Sequence, residues 1–107
     1  MKASRTLARW GTVAVAGASM EPTFGDGDWL FVRWFRGSEP LTIGAIYVVE
    51  REDQPGVLYV KRLQKMHGEL GWFEGDNPTS QDSRHWGWLP RTCVRGKVLF
   101  RYRKARR

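Results

Sequence analysis

Breaks come so often along this chain that no long element fits between them. Twelve glycines and five prolines fall in short clusters, among them P-T-F-G-D-G-D at 22–28 and E-D-Q-P-G at 52–56. Between the clusters lie β-branched and aromatic runs that read as strands. They are Thr12 to Ala16, Trp29 to Phe35, Ala45 to Arg51, Val57 to Gln64, Leu70 to Glu74 and Val94 to Arg103. Gly37 to Thr42 reads as a loop, and Gly75 to Pro90 as a long polar one, a kind that often carries function. Strands at this spacing, with no convincing helix, predict an all-β barrel or sandwich. A length of 107 residues suits one small domain, 1–107. Six Trp, five Phe and three Tyr supply much of its core and argue against disorder.

Charge is lopsided, with 18 Lys+Arg against 11 Asp+Glu, a net +7. Part of the excess sits in basic ends at about 1–9 (Lys2, Arg5, Arg9) and 101–107 (Arg101, Arg103, Lys104, Arg106, Arg107). Such ends can meet nucleic acid, anionic lipid or an acidic partner; the plainer expectation is a solvated end. The single cysteine, Cys93, rules out an internal disulfide and, within C-V-R-G-K-V-L-F, reads as a packing residue. No run approaches the roughly 20 apolar residues that span a bilayer. Trp10 to Ala18 is too short and too weakly hydrophobic for that, or for a cleaved signal peptide. A chain soluble in the cytoplasm or peripheral at a membrane is expected. No His/Cys/Asp/Glu set has ligand spacing, so neither metal nor cofactor is expected.

The stretch V-A-G-A-S-M-E-P-T-F, 15–24, puts Ser19 on a turn. A serine hydroxyl attacks a carbonyl only when a base takes its proton. His85 lies near Asp82 in sequence, but three residues within a loop do not make a triad, and His67 and His85 read as surface residues. Lys61 is the better base. On an extended strand Val57, Tyr59, Lys61 and Leu63 share one side, so Lys61 is a lone amine on an apolar face. Burial there lowers its pKa. Reaching about 7 from about 10.4 requires about 4.6 kcal/mol of differential environment, within what burial alone supplies. Taken alone, the strand favours the ordinary alternative of a snorkelling lysine, and Ser19 alone reads as a turn residue.

Three ordered segments then match one family: G-A-S-M-E-P-T-F-G-D-G-D-W-L-F-V at 17–32, Y-V-K-R-L at 59–63 and G-D-N-P-T-S-Q-D-S-R-H-W-G-W-L-P at 75–90. From about Val15 to Tyr102 the chain resembles the bacterial type I signal peptidases, serine–lysine S26 endopeptidases. G-D-N-P, D-S-R-x-x-G and the closing V-L-F-R-Y are most similar to the small branch that matures nickel superoxide dismutase. The resemblance implies an all-β, coiled antiparallel β-barrel-like signal-peptidase/LexA-type catalytic fold. It also implies roles. Ser19 attacks the scissile carbonyl. Lys61 takes the proton and returns it to the leaving amine. Ser80 orients the lysine. Asp82 and Arg84 tie the loop down, with Arg62 nearby. Gly75, Asp76 and Asn77 shape its turn. Gly17, Ala18, Met20 and Pro22 form the oxyanion turn and substrate cleft, with the Ser19 amide as donor; some relatives place a serine where this chain has Gly17.

The function these roles imply is a serine endopeptidase that removes an N-terminal leader or signal peptide from a protein substrate. Val13 to Ala16 is a plausible edge for the substrate strand, with small side chains one and three residues before the cut. Signal peptidases carry one or two N-terminal membrane helices, and this sequence shows none, which argues against membrane-coupled processing. The alternative class is a non-catalytic basic β-barrel module binding nucleic acid or an anionic surface through aromatic stacking, although no nucleic-acid partner is expected from the motifs. A self-cleaving repressor relative is disfavoured by the length and by the G-D-N…D-S-R loop. Nothing in the sequence sets the oligomeric state.

Overall fold

The computed structural model describes residues 9–106; Lys2, Arg5 and Arg107 of the basic ends lie outside them. Seven strands form one antiparallel sheet in the order β1-β2-β7-β3-β4-β5-β6. They are β1 (Trp10–Ala14), β2 (Trp29–Trp34), β3 (Ile46–Glu50), β4 (Leu58–His67), β5 (Leu70–Glu74), β6 (Leu89–Pro90) and β7 (Val94–Arg103). A short helix, α1 (Ser83–Trp86), and a 3-10 turn (Arg91–Cys93) lie among the described residues as well. Register shifts interrupt the β2–β7, β3–β7 and β4–β5 ladders. Such bulges increase local twist, and the sheet curls into a half-barrel.

The curl lets β3 bury both faces. Tyr47 and Val49 join Leu63, Phe73, Leu89 and Val94 in one core. Val48, between them, joins Val15, Leu30, Val32 and Val98 in the other. Alternation explains the split, because successive strand side chains point to opposite faces. β2 shows the simpler pattern, with Leu30 and Val32 buried and their neighbours partly open. Burying a side chain such as Phe73 contributes about 1.5–3 kcal/mol.

The expected all-β architecture is present, with two corrections. Gly75 to Pro90 is not simply a loop, because it contains α1 and β6. Four helical residues give no readable period. What fixes them is the Asp82 side chain, which accepts from the Arg84 amide as an N-cap. β4 also continues three residues past Gln64, because Lys65, Met66 and His67 pair with Trp72, Gly71 and Leu70.

Candidate active site

Ser19 sits on the connection between β1 and β2, pinned on both sides. Val15 donates to the Asp28 carbonyl at 2.8 Å, and Gly27 donates to the Val15 carbonyl at 2.7 Å. Gly17 adopts φ +86°, a left-handed conformation that favours glycine, and donates its amide to Asp26 Oδ1 at 2.7 Å. Met20 is fully buried and anchors the turn, whose Phe24 amide bonds to the Met20 carbonyl at 3.0 Å. Pro22 follows a cis peptide bond and is exposed. Behind the turn, the buried Asp28 carboxylate accepts from the Gly25 amide at 2.8 Å, from Arg101 at 3.2 Å and from the Ala105 amide at 2.8 Å.

The second wall is β4. Lys61 pairs with Tyr47 across the sheet and is only 2% exposed. Its Nζ lies 5.8 Å from the ring centroids of both Tyr59 and Trp86. Burial pushes its pKa down; the Asp82 carboxylate opposes that shift and the Arg84 guanidinium adds to it. Tyr59 and Val60, the two residues before it, line a cavity of about 110 Å³ together with Leu58, Ala14, Val15, Ala16, Met20 and Ser19 itself. The serine turn and the lysine strand are thus the two sides of one cleft.

The loop after β5 closes the third side. The Asn77 amide donates to the Ser19 carbonyl at 2.9 Å, and its side chain donates to the Ala18 carbonyl at 3.0 Å. Gly75 is so close to the serine turn that a Cβ there would collide with the Ser19 carbonyl oxygen and with Ser80 Oγ. Ser80 Oγ donates to Asp82 Oδ2 and accepts from Arg84 Nη2 at 3.1 Å. Asp82 is fully buried. It also accepts from the Gly75 amide at 2.7 Å and from Arg84 Nη2 at 2.6 Å. Burial opposes its charge, but the hydrogen bonds from Arg84, Ser80 and the Gly75 and Arg84 amides win, holding the carboxyl well below the usual range.

Arg62, expected near Asp82 and Arg84, makes its hydrogen bonds to Asp76 of the same loop and to the Gly44 carbonyl. Nε reaches Asp76 Oδ1 at 2.9 Å, Nη2 reaches Oδ2 at 2.8 Å, and Nη1 reaches the Gly44 carbonyl at 2.6 Å. By the alternation of β4, Arg62 points away from Lys61. Thr23 donates to the same Asp76 at 2.5 Å, so one carboxylate ties β4 to the serine turn. Asp82 and Arg84 are no surface ion pair, given the full burial of the acid.

The Peptidase S24-like family model matches residues 6–86, a span that contains Ser19, Lys61, Ser80, Asp82 and Arg84. The chain belongs to that family. Two curated relatives agree. Mitochondrial inner membrane protease subunit 1 of Mus musculus is 28% identical over 116 aligned residues, covering 85% of this chain and 68% of the relative. The Homo sapiens protein of that name is 29% identical with the same coverage. The signal-peptidase-like resemblance, the peptidase class and the half-barrel fold therefore hold, and a peptidase implies a protein substrate. Among the described residues no helix is long and apolar enough to cross a membrane.

Within this S24-like peptidase the structure gathers Ser19, Lys61, Gly75, Asn77, Ser80 and Asp82 about one cleft, with Asp76 and Arg62 bracing it. His67 and His85 are exposed, and Cys93 is buried with its thiol pushed up by burial. Sequence reasoning missed Thr23, Asp26, Asp28 and Trp86. The D-G-D of 26–28 was visible, but only as a turn signal; its two carboxylates accept from Gly17, Gly25 and Ala105 amides.

Proposed function

We propose that this S24-like peptidase is a serine endopeptidase whose Ser19–Lys61 dyad removes an N-terminal leader from a protein substrate. The observation that carries the reading is the Lys61 amine, buried beside the contacting rings of Tyr59 and Trp86 on a strand that shares a cavity with Ser19. Burial favours the neutral form of an amine, the form that can act as a general base.

The chemistry follows from the neighbours. Lys61 Nζ takes the Ser19 proton as Oγ attacks the scissile carbonyl. The Ser19 amide faces the developing oxyanion, since the Gly17 amide is committed to Asp26. The ammonium then gives its proton to the leaving amine, and a water activated by the same amine hydrolyses the acyl-enzyme. Ser80 suits an orienting role. A hydroxyl has one donor and two acceptor sites; its proton goes to Asp82 and one lone pair to Arg84. The remaining lone pair can hold an N–H of neutral Lys61, leaving the nitrogen lone pair for Ser19.

The substrate strand would add along the exposed end of β1, with a small side chain in the cavity beside Ser19. All seven strands share one sheet, which supports reading the chain as one catalytic domain. Both relatives are named for an inner membrane, and a stacked aromatic row on the outer sheet face (Trp10, Phe31, Phe100) supports a peripheral membrane location.

Cleavage of a leader peptide with alanine one and three residues before the cut tests the dyad. Ser19→Ala and Lys61→Met are each expected to lower kcat/KM on the order of 10³-fold or more while near-UV circular dichroism stays native. Wild-type turnover by either folded variant would overturn the assignment.

A further inference from the structure

We infer that Trp86 is a positioning residue for Lys61: clamped by Arg51 and Tyr59, it forms the wall that separates the amine from solvent. The inference rests on Lys61 being the general base, and it adds a control element that no dyad motif contains.

Four contacts carry it. The Trp86 ring lies 5.8 Å from Lys61 Nζ. The Tyr59 ring, also 5.8 Å from Nζ, meets Trp86 at a centroid distance of 4.8 Å and an interplanar angle of 60°. The Arg51 guanidinium lies over the Trp86 ring with Cζ 4.6 Å from its centroid. The turn after β3 then closes the circuit: Arg51 Nη1 donates to Gln54 Oε1 at 3.4 Å, and the Tyr59 hydroxyl donates to the same oxygen at 2.6 Å. Arg51 is further tied to Asp53 at 3.0 Å. A ring held by only one neighbour could swing away; this one is held by a stacked cation, a tyrosine ring and its own helix.

That helix links the wall to the rest of the site. The Trp86 amide bonds to the Asp82 carbonyl at 2.8 Å, and the Asp82 carboxylate is the group that Ser80 and Arg84 contact. The charged and titratable groups around Lys61 are therefore Asp82 and Arg84 from the α1 segment, Tyr47 from β3, Tyr59 from β4 and Arg51 beyond the Trp86 ring. Of the charged groups Asp82 alone favours the ammonium, and the Tyr59 and Trp86 rings add a weaker cation–π attraction. Opening the wall admits water, which also favours the ammonium, so a loosened clamp makes Lys61 more basic and demands a higher pH for catalysis.

Two readouts test this. The first is the acid limb of kcat/KM against pH on the leader peptide. The second is the titration of Lys61 Nζ by NMR of 15N-lysine-labelled protein in a Ser19→Ala background, which needs no turnover. Arg51→Ala is expected to move both midpoints up by about one pH unit, with the high-pH plateau within about threefold of wild type. Trp86→Phe keeps an aromatic wall and should move them less. Arg51→Lys keeps the charge but loses the planar stack and should shift both midpoints part of the way. A uniform loss of rate with unmoved midpoints overturns the inference, as does a wild-type midpoint in Arg51→Lys beside a shifted Arg51→Ala, which would assign the effect to charge alone. Should Lys61→Met stay active, the dyad falls, and the Nζ titration still decides whether Trp86 shields the amine.

Discussion

The Ser80 hydroxyl donates to the buried carboxylate of Asp82. Its proton is therefore unavailable to Lys61, and Ser80 can only accept from the amine. Ser80→Ala should lower kcat about 10- to 10²-fold with little change in KM, because an orienting contact is lost and no substrate contact is. Ser80→Thr, which keeps the hydroxyl, should recover most of that loss. Steady-state kinetics on the leader peptide decide the matter; a change confined to KM would move Ser80 from the base to the binding cleft.

Asp82 and Lys61 should leave opposite marks on stability against pH. The folded Asp82 carboxyl is held below its unfolded value, so its contribution is complete above about pH 5 and is lost as pH falls through and below about 3.9. Asp82→Asn should cost about 3 kcal/mol at neutral pH, the scale for breaking a buried pair, and flatten the acid side of the Tm profile. Lys61 is also depressed, but as a base. Its penalty applies at low and neutral pH and is relieved as pH rises through its folded pKa toward about 10.4. Lys61→Met should therefore be at least as stable as wild type at pH 7. A large loss of Tm in Lys61→Met would mean that the ammonium is satisfied in the folded state.

Gly75 is where the loop after β5 touches the serine turn. A methyl group at that position would collide with the Ser19 carbonyl oxygen and with Ser80 Oγ and Cβ, all three backbone or short side-chain atoms. Gly75→Ala should cost about 1–3 kcal/mol as overpacking and reduce kcat more than Ser80→Ala does, because it displaces Ser19 and Ser80 together. Denaturant unfolding and kinetics on the same preparation check both halves. A variant with native stability and full activity would show that the loop can yield.

How much of this was legible depended on period. Strands with clean alternation, such as Leu30 and Val32 inward on β2, could be read directly, and so could the placement of Lys61 with Tyr59 and Leu63 on one face. The four-residue α1 has no period, so its helix and Trp86 were invisible until Asp82 was seen to cap it. Arg62 was expected near Asp82 and Arg84, but its partner Asp76 could not be singled out from the spacing. A motif records which residues are needed, not which partner each one meets.

The outer face of β1, β2 and β7 carries the last prediction. Trp10 stacks on Phe31 at 6.0 Å and 9°, and Phe31 on Phe100 at 5.2 Å and 21°. Trp10 and Phe100 are 51% and 53% exposed. Arg103 is the cross-strand partner of Trp29, and Arg103 and Lys104 are exposed beside the row, whereas Arg33, the partner of Trp10, is ion-paired to Glu39. Aromatic rings flanked by cations suit a bilayer interface bearing negative charge. The rings already stack on one another, which leaves less face for bases than a nucleic-acid platform would offer. The protein should co-sediment with vesicles containing about one-third anionic lipid, lose most of that binding in 0.5 M salt as about a Debye length of 4 Å implies, and bind zwitterionic vesicles weakly. Trp10→Ala with Phe100→Ala should weaken the anionic binding about tenfold and leave peptide cleavage in solution unchanged, since neither ring lines the cleft. Equal binding to both vesicle types, or tighter salt-sensitive binding to an oligonucleotide, would remove the membrane from the account and leave the cleft chemistry intact.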